Sequence, residues 1–375
     1  MTVNNETIIS VCRAFGIEGN FVESKIFTDG HINSTYLAVF RDGEETKKYL
    51  VQNINTVVFK DQQALMDNII NVTSFLRKKI EENGGDPTRE TLHFLKSKDG
   101  KYYYQDDKNC WRIYDFIDNS FTYNMIDSRE VFEDTGRSFG RFQCLLSEYP
   151  IDNLFETIPD FHNTPKRLQN LISSVEKDVV GRAAEVKKEI DFALNRKEDT
   201  ERALALVEKG EIPLRVTHND TKLNNILFDS ETNKGICVID LDTIMPGLSL
   251  YDFGDAIRFG AKTAAEDEAD LSKVSVSLDL YESYVKGYLE SCAEALTKAE
   301  VENLAFSAKL MTFECGMRFL TDYLDGDVYF KTEYPEHNLV RARNQFKMVE
   351  EIEKVLPEME KITVDTYRLV TGKSL

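Results

Sequence analysis

Near Asn119 the apolar residues of this 375-residue chain change their period, and that change restricts it to folds with two unlike parts. Upstream, Thr35-Tyr36-Leu37-Ala38-Val39-Phe40 and Tyr49-Leu50-Val51 form short alternating runs parted by Arg41-Asp42-Gly43-Glu44. Alternation sends successive side chains to opposite faces, so the stretch from Phe21 to Val51 predicts antiparallel strands. Between Asp61 and Glu82, Leu65, Ile69, Val72, Leu76 and Ile80 recur three and four residues apart and stop at Asn83-Gly84-Gly85. That spacing predicts an amphipathic helix. A second strand group is expected at Leu92–Leu95, Tyr102–Tyr104 and Trp111–Ile117, with Gly100 in a hairpin turn.

Downstream, Val131 to Ser147, Thr164 to Val207 and Val301 to Tyr323 carry helical periodicity, broken by one β-like stretch between residues 214 and 243. The expected fold class is therefore α+β and two-lobed: a small β-rich lobe over residues 1–117 and a larger, mainly α-helical lobe over 118–375. A hydrophobic content of 42% suffices for one large core or two moderate ones. The net charge of -19 argues against a general nucleic-acid binder, which needs clustered Lys and Arg. It does not exclude a nucleotide, provided that a divalent cation and a few placed groups screen the phosphates. The six cysteines lie far apart and form no C-x-x-C pair, so reduced thiols are expected. The start of the chain has no basic region followed by an apolar core, so a cytoplasmic protein with no membrane partner is expected.

Phosphoryl transfer needs a carboxylate to orient the acceptor hydroxyl and ligands that hold magnesium against the phosphates. His218-Asn219-Asp220-Thr221-Lys222-Leu223-Asn224-Asn225 contains the five-residue step D-x-x-x-x-N that serves those ends, with Asp220 toward the acceptor and Asn225 toward the metal. Two apolar runs follow, Asn225-Ile226-Leu227-Phe228 and Ile236-Cys237-Val238-Ile239-Asp240, separated by the polar Asp229 to Gly235. They should pair as a hairpin centred near Thr232-Asn233, which returns Asp240 beside Asn225 as the second metal ligand. His218 is expected to organise the loop. Lys222 either steadies the transferring phosphoryl group or is a solvated lysine. Asp252-Phe253-Gly254 looks like a kinase D-F-G but lies beyond Pro246-Gly247, outside the hairpin. Asp252 is expected to hold the catalytic loop or cap the following helix.

HNDTKLNNILFD followed by GICVIDLDTIMPGLSLYDFGDAIRFGA resembles the aminoglycoside phosphotransferase and choline kinase superfamily, most closely N-acetylhexosamine 1-kinases. TDGHINSTYL, CWRIYDFID and ECGMRFLTDYLDGDVYF extend the resemblance over nearly the whole chain. It implies a protein-kinase-like fold and ATP- and Mg2+-dependent phosphorylation of the anomeric hydroxyl of N-acetylglucosamine or N-acetylgalactosamine. It implies Asp220 as base and Asn225 and Asp240 as metal ligands. Arg318, Asp322 and Tyr329, with Asp220, become candidates for the sugar pocket, the alternative for the first three being ion pairs on the surface.

On the nucleotide side, Gly30 and Asn33 fall in the expected phosphate loop, which has one glycine where a protein kinase shows three. Gln52 occupies the place of the phosphate-binding lysine, and no lysine and glutamate pair is evident. Tyr114 and Phe116 belong to the run expected to bind adenine through its backbone. The expected partners are ATP and a small sugar, without nucleic acid, in a monomer or small homo-oligomer. The competing readings are a related kinase acting on choline, homoserine or an aminoglycoside, and a non-catalytic pseudokinase.

Overall fold

Alternating apolar residues build the first sheet, and the computed structural model, which describes residues 3–27 and 32–375, shows how. The strands are β1 (Asn20–Phe27), β2 (Ser34–Asp42), β3 (Glu45–Ile54), β4 (Tyr104–Gln105), β5 (Cys110–Asp115), β6 (Ser120–Phe121), β7 (Arg215–Thr217), β8 (Ile226–Asp229), β9 (Gly235–Val238) and β10 (Met245–Gly247). The first five form one sheet in the order β1-β2-β3-β5-β4. Tyr36, Ala38 and Phe40 of β2, Val51 of β3 and Trp111 and Ile113 of β5 point to one face, where they bury Ile8, Val11 and Cys12 of the helix Asn5–Ala14. Asn4 caps that helix by accepting from the Thr7 amide at 2.9 Å.

The expected strand at Leu92–Leu95 reduces to a single bridge, Phe94 to Tyr114. Phe94 turns its ring onto Tyr114, with centroids 5.0 Å apart, and at Ser97 the chain enters a turn closed by the Ser97 hydroxyl on the Lys101 carbonyl at 2.8 Å. The predicted helix is present as Gln62–Glu82, capped by Asp61.

The chain clusters into two compact units. The first comprises residues up to Phe121 with Asp152–Ile158 and Leu227–Ile244, and the second Thr122–Ile151, Pro159–Ile226 and Met245–Leu375. The expected hairpin forms as β8 and β9, with β6 on the other side of β8, so Asp240 groups with the first unit.

The second unit is built around the helix Lys298–Asp325, three-quarters of whose residues are buried. A capping box at Thr297 and Glu300 starts it and Gly326, at φ +95°, ends it. The helices Arg129–Leu145 and Leu278–Cys292 pack backbone against backbone through Gly136, Gly140 and Gly287. A Cβ on Gly287 would lie 1.9 Å from the Glu133 carbonyl oxygen. Gly287→Ala is therefore expected to cost about 3 kcal/mol through forced separation of the pair. Urea unfolding checks this, and an unchanged midpoint would contradict the close packing. Among the described residues no helix is long and apolar enough to cross a membrane.

Candidate active site

β7 and β10 pair antiparallel, Thr217 opposite Met245 and Arg215 opposite Gly247, and they fix the two ends of the segment that carries Asp220. Gly247 is needed there because a Cβ would meet the Thr217 hydroxyl at 2.3 Å. The chain then turns sharply at Asn219, whose φ of 63° is left-handed, a conformation that asparagine tolerates.

Three sets of buried groups hold this loop. The Asp252 carboxylate accepts from the backbone amides of His218 at 2.8 Å and Asn219 at 2.7 Å, and the Asp252 carbonyl accepts from the Thr221 hydroxyl at 2.5 Å. Burial pushes the Asp252 carboxyl up to about 6, against the opposing pull of His218 and the two amides. The next residues of the D-F-G look-alike serve packing. Phe253 sits edge-on to Tyr284 and Tyr288 at 5.4 and 5.2 Å, and a Cβ on Gly254 would meet the Ser307 carbonyl at 2.3 Å. His218 is fully buried, edge-on to Phe139, and its Nδ1 accepts from the Asp220 amide at 3.3 Å. It organises the loop, as its position in the motif suggests.

The third set was not visible in the sequence. Glu314 is buried and accepts from the Thr164 hydroxyl at 2.7 Å; its other oxygen lies 2.8 Å from Nδ1 of His162, whose Nε2 lies 3.3 Å from the Asn219 carbonyl. Burial pushes the Glu314 carboxyl up, but His162 and Arg318 outweigh it and hold the group below the usual range. The partners are 57 to 152 residues apart, and an isolated His or Glu carries no periodic signal.

Within the loop, Asp220 Oδ1 pairs with the Lys222 ammonium at 2.7 Å, and Oδ2 accepts from Asn225 Nδ2 at 3.2 Å. The same Nδ2 donates to the Asp220 carbonyl at 2.8 Å. Both donors of the Asn225 amide are thus turned to Asp220, which directs its Oδ1 away from that carboxylate. Burial pulls the Lys222 ammonium down, but Asp220 and the more distant Asp255 outweigh it and raise its pKa. Lys222 is half-buried and ion-paired, not a freely solvated lysine.

Arg318 and Tyr329 lie together in the second unit. The guanidinium of Arg318 stands over the rings of Phe161, Tyr329 and Phe330, 5.9, 6.0 and 5.5 Å from their centroids. Arg318 makes no ion pair or hydrogen bond among the described residues, and Tyr329 is 71% exposed. Asp322 is buried and differently occupied. It accepts from the amides of Val328, Tyr329 and Phe330 at 2.9, 2.7 and 2.9 Å and from Asn338 Nδ2 at 2.8 Å. Four donors saturate its oxygens, so its contacts shape the loop that carries Tyr329.

In the first unit, Gly30 lies outside the described residues. The Asn33 side chain accepts from the Asn55 amide at 2.9 Å and donates to Asp242 at 2.5 Å. Gln52 donates to the Thr35 hydroxyl at 2.9 Å and accepts from Arg112 Nε at 2.9 Å. Arg112 also ion-pairs with Asp242. Tyr114 sits opposite Leu50 in the ladder, and the Phe116 amide donates to the Lys48 carbonyl at 3.1 Å. Asp240 adopts φ 58° just beyond β9, and Asn68 of the helix Gln62–Glu82 holds the segment after it by donating to the Ile244 carbonyl at 2.9 Å. Sequence reasoning missed Asn68, Arg112 and Asp242. Among the described residues no three His, Cys, Asp or Glu side chains form a metal cluster. Magnesium held mostly by phosphate oxygens and water requires no such cluster, so one carboxylate and one amide oxygen fit it.

A model of the phosphotransferase enzyme family, abbreviated APH, matches residues 25–274. Among solved structures, a microcompartment-associated aminopropanol kinase is 16% identical, with 95% of this chain and 99% of that one covered and a TM-score of 0.60. Spectinomycin phosphotransferase, in complex with ADP and spectinomycin, is 15% identical over 96% of this chain and 100% of its own, with a TM-score of 0.56. A choline kinase from Cryptosporidium parvum is 15% identical over 95% and 97%, with a TM-score of 0.55. At such identities these likenesses establish the α+β, protein-kinase-like fold, while the family match rests on two-thirds of the sequence. The chain belongs to the phosphotransferase enzyme family.

Proposed function

We propose that this chain transfers the γ-phosphoryl group of ATP to the anomeric hydroxyl of an N-acetylhexosamine. Asp220 receives the hydroxyl proton, and Lys222, already at its carboxylate, steadies the transferring group as a point charge. Asn225 and Asp240, at the two ends of the β8–β9 hairpin, would hold magnesium, which neutralises phosphate charge when bound. The nucleotide would lie against the segment of Gly30 and Asn33, with Gln52 behind its phosphates and the backbone at Tyr114 and Phe116 at its base.

The observation that carries the choice of acceptor is Arg318 among its three rings. A quaternary ammonium is recognised by an aromatic cage, and here the rings already surround the chain's own cation. Choline and aminoglycosides are cations that Arg318 would repel; a neutral sugar can accept hydrogen bonds from its planar donors and pack on Tyr329. Asp322 supports that surface by holding the Tyr329 loop.

The test measures ADP release with Mg-ATP against N-acetylhexosamines, plain hexoses, choline, homoserine and aminoglycosides. Turnover is expected with N-acetylhexosamines. Turnover on choline or an aminoglycoside but not on a sugar would overturn the assignment.

A further inference from the structure

The nucleotide half of this reading lacks a cation. Protein kinases place a lysine on the third strand, and β3 offers Gln52 instead. The sheet register puts Arg112 of β5 directly opposite Gln52. Arg112 is 2% exposed, a degree of burial that a charged group rarely reaches without partners. Two of its three nitrogens have them. Nε donates to Gln52, whose own amide is fixed by Thr35, and Nη1 ion-pairs with Asp242, which Asn33 also holds. Nη1 and Asp242 Oδ1 are buried and make no other contact of this kind, and the one side-chain hydrogen bond that Arg112 donates among the described residues comes from Nε, which leaves Nη2 without one.

We infer that Arg112 is the phosphate-facing cation of the nucleotide site, its guanidinium plane set by Gln52 and Asp242 so that Nη2 is left for a phosphate oxygen. Gln52 then occupies the lysine position because it orients the arginine next to it. The planar fork allows what a lysine cannot: one cation can bind Gln52, Asp242 and an anion simultaneously, each through a different nitrogen. The pair of Arg112 and Asp242 stands in place of the missing lysine and glutamate. Asp242 is committed to it, which leaves the metal to Asp240.

Calorimetric titration with ADP and with adenosine, both in EDTA so that metal ligands do not contribute, separates phosphate recognition from base recognition. Asp242→Asn removes a negative charge, so its preference for ADP over adenosine should equal or exceed that of the unmodified chain. Arg112→Met combined with Asp242→Asn avoids leaving a buried charge unpaired and should lower that preference at least tenfold, with adenosine affinity unchanged. The single tryptophan, Trp111, reports by its emission that the sheet is intact. Equal ADP preference in the Asp242→Asn and double variants would reduce Arg112 to a counter-ion and overturn the inference. Should the double variant not fold, Arg112→Lys decides, since it retains a counter-ion but no fork: a threefold or greater fall supports the role and an unchanged preference refutes it. Failure of the unmodified chain to prefer ADP would overturn the nucleotide reading itself and this inference with it. Absence of sugar turnover alongside the expected ADP pattern would overturn only the acceptor.

Discussion

Asp220→Asn is expected to lower turnover about 10²- to 10⁴-fold, the range that a positioned general base contributes, while Mg-ADP binds with nearly unchanged affinity. The geometry explains the separation. The substitution removes the proton acceptor and the partner of Lys222, but the Asn225 amide stays anchored to the Asp220 carbonyl at 2.8 Å, a backbone contact that the substitution leaves in place. The proposed ligand oxygen of Asn225 therefore keeps its direction. Asp240→Ala should do the reverse and abolish the magnesium dependence of ATP binding. Steady-state kinetics alongside calorimetry distinguishes them. Near-normal turnover in Asp220→Asn would show that the acceptor proton leaves by another route.

Asp252→Ala should appear mainly as lost stability. It strands the buried amides of His218 and Asn219, which at about 1 to 3 kcal/mol each amounts to about 2 to 6 kcal/mol. The loss should depend on pH. Burial raises the Asp252 carboxyl from 3.8 in the unfolded chain to about 6, so the folded state binds the proton more tightly. A raised carboxyl contributes stability that is complete below 3.8 and is lost as pH rises through 6. The deficit of Asp252→Ala relative to the unmodified chain should accordingly be larger at pH 5 than at pH 7.5, by roughly 1 to 2 kcal/mol. Urea unfolding at the two pH values measures it. A deficit that grew with pH would mean that the carboxylate, rather than the acid, is the form the fold prefers.

These two aspartates mark what could be read from the chain order. The step from Asp220 to Asn225 and the hairpin after it depend on residues within about twenty positions of each other, where turn chemistry and alternation speak directly. The same local logic placed Asp252 outside the hairpin, and the structure gives it the loop of His218, Asn219 and Thr221 to hold. Leu92–Leu95 was misleading because a short apolar run does not say whether a neighbouring strand edge will accept it along its length; here it touches β5 through one bridge.

Asp322 shows the opposite limit. A carboxylate near the end of a helix in a segment resembling a sugar pocket invites a role in binding, yet four donors from the loop and from Asn338 fill it. Which donors reach a side chain is decided by packing.

The sequence by itself determined the kinase-like loop, the hairpin and the division between alternating and helical halves, because each is written in spacings of a few residues. Tertiary structure alone decided that Gln52 leans on Arg112, that Arg112 claims Asp242, and that Glu314 steadies Asn219 through His162. Those partners are 57 to 152 residues apart. A buried charge needs a counter-charge but leaves no periodic trace of where in the chain it will come from.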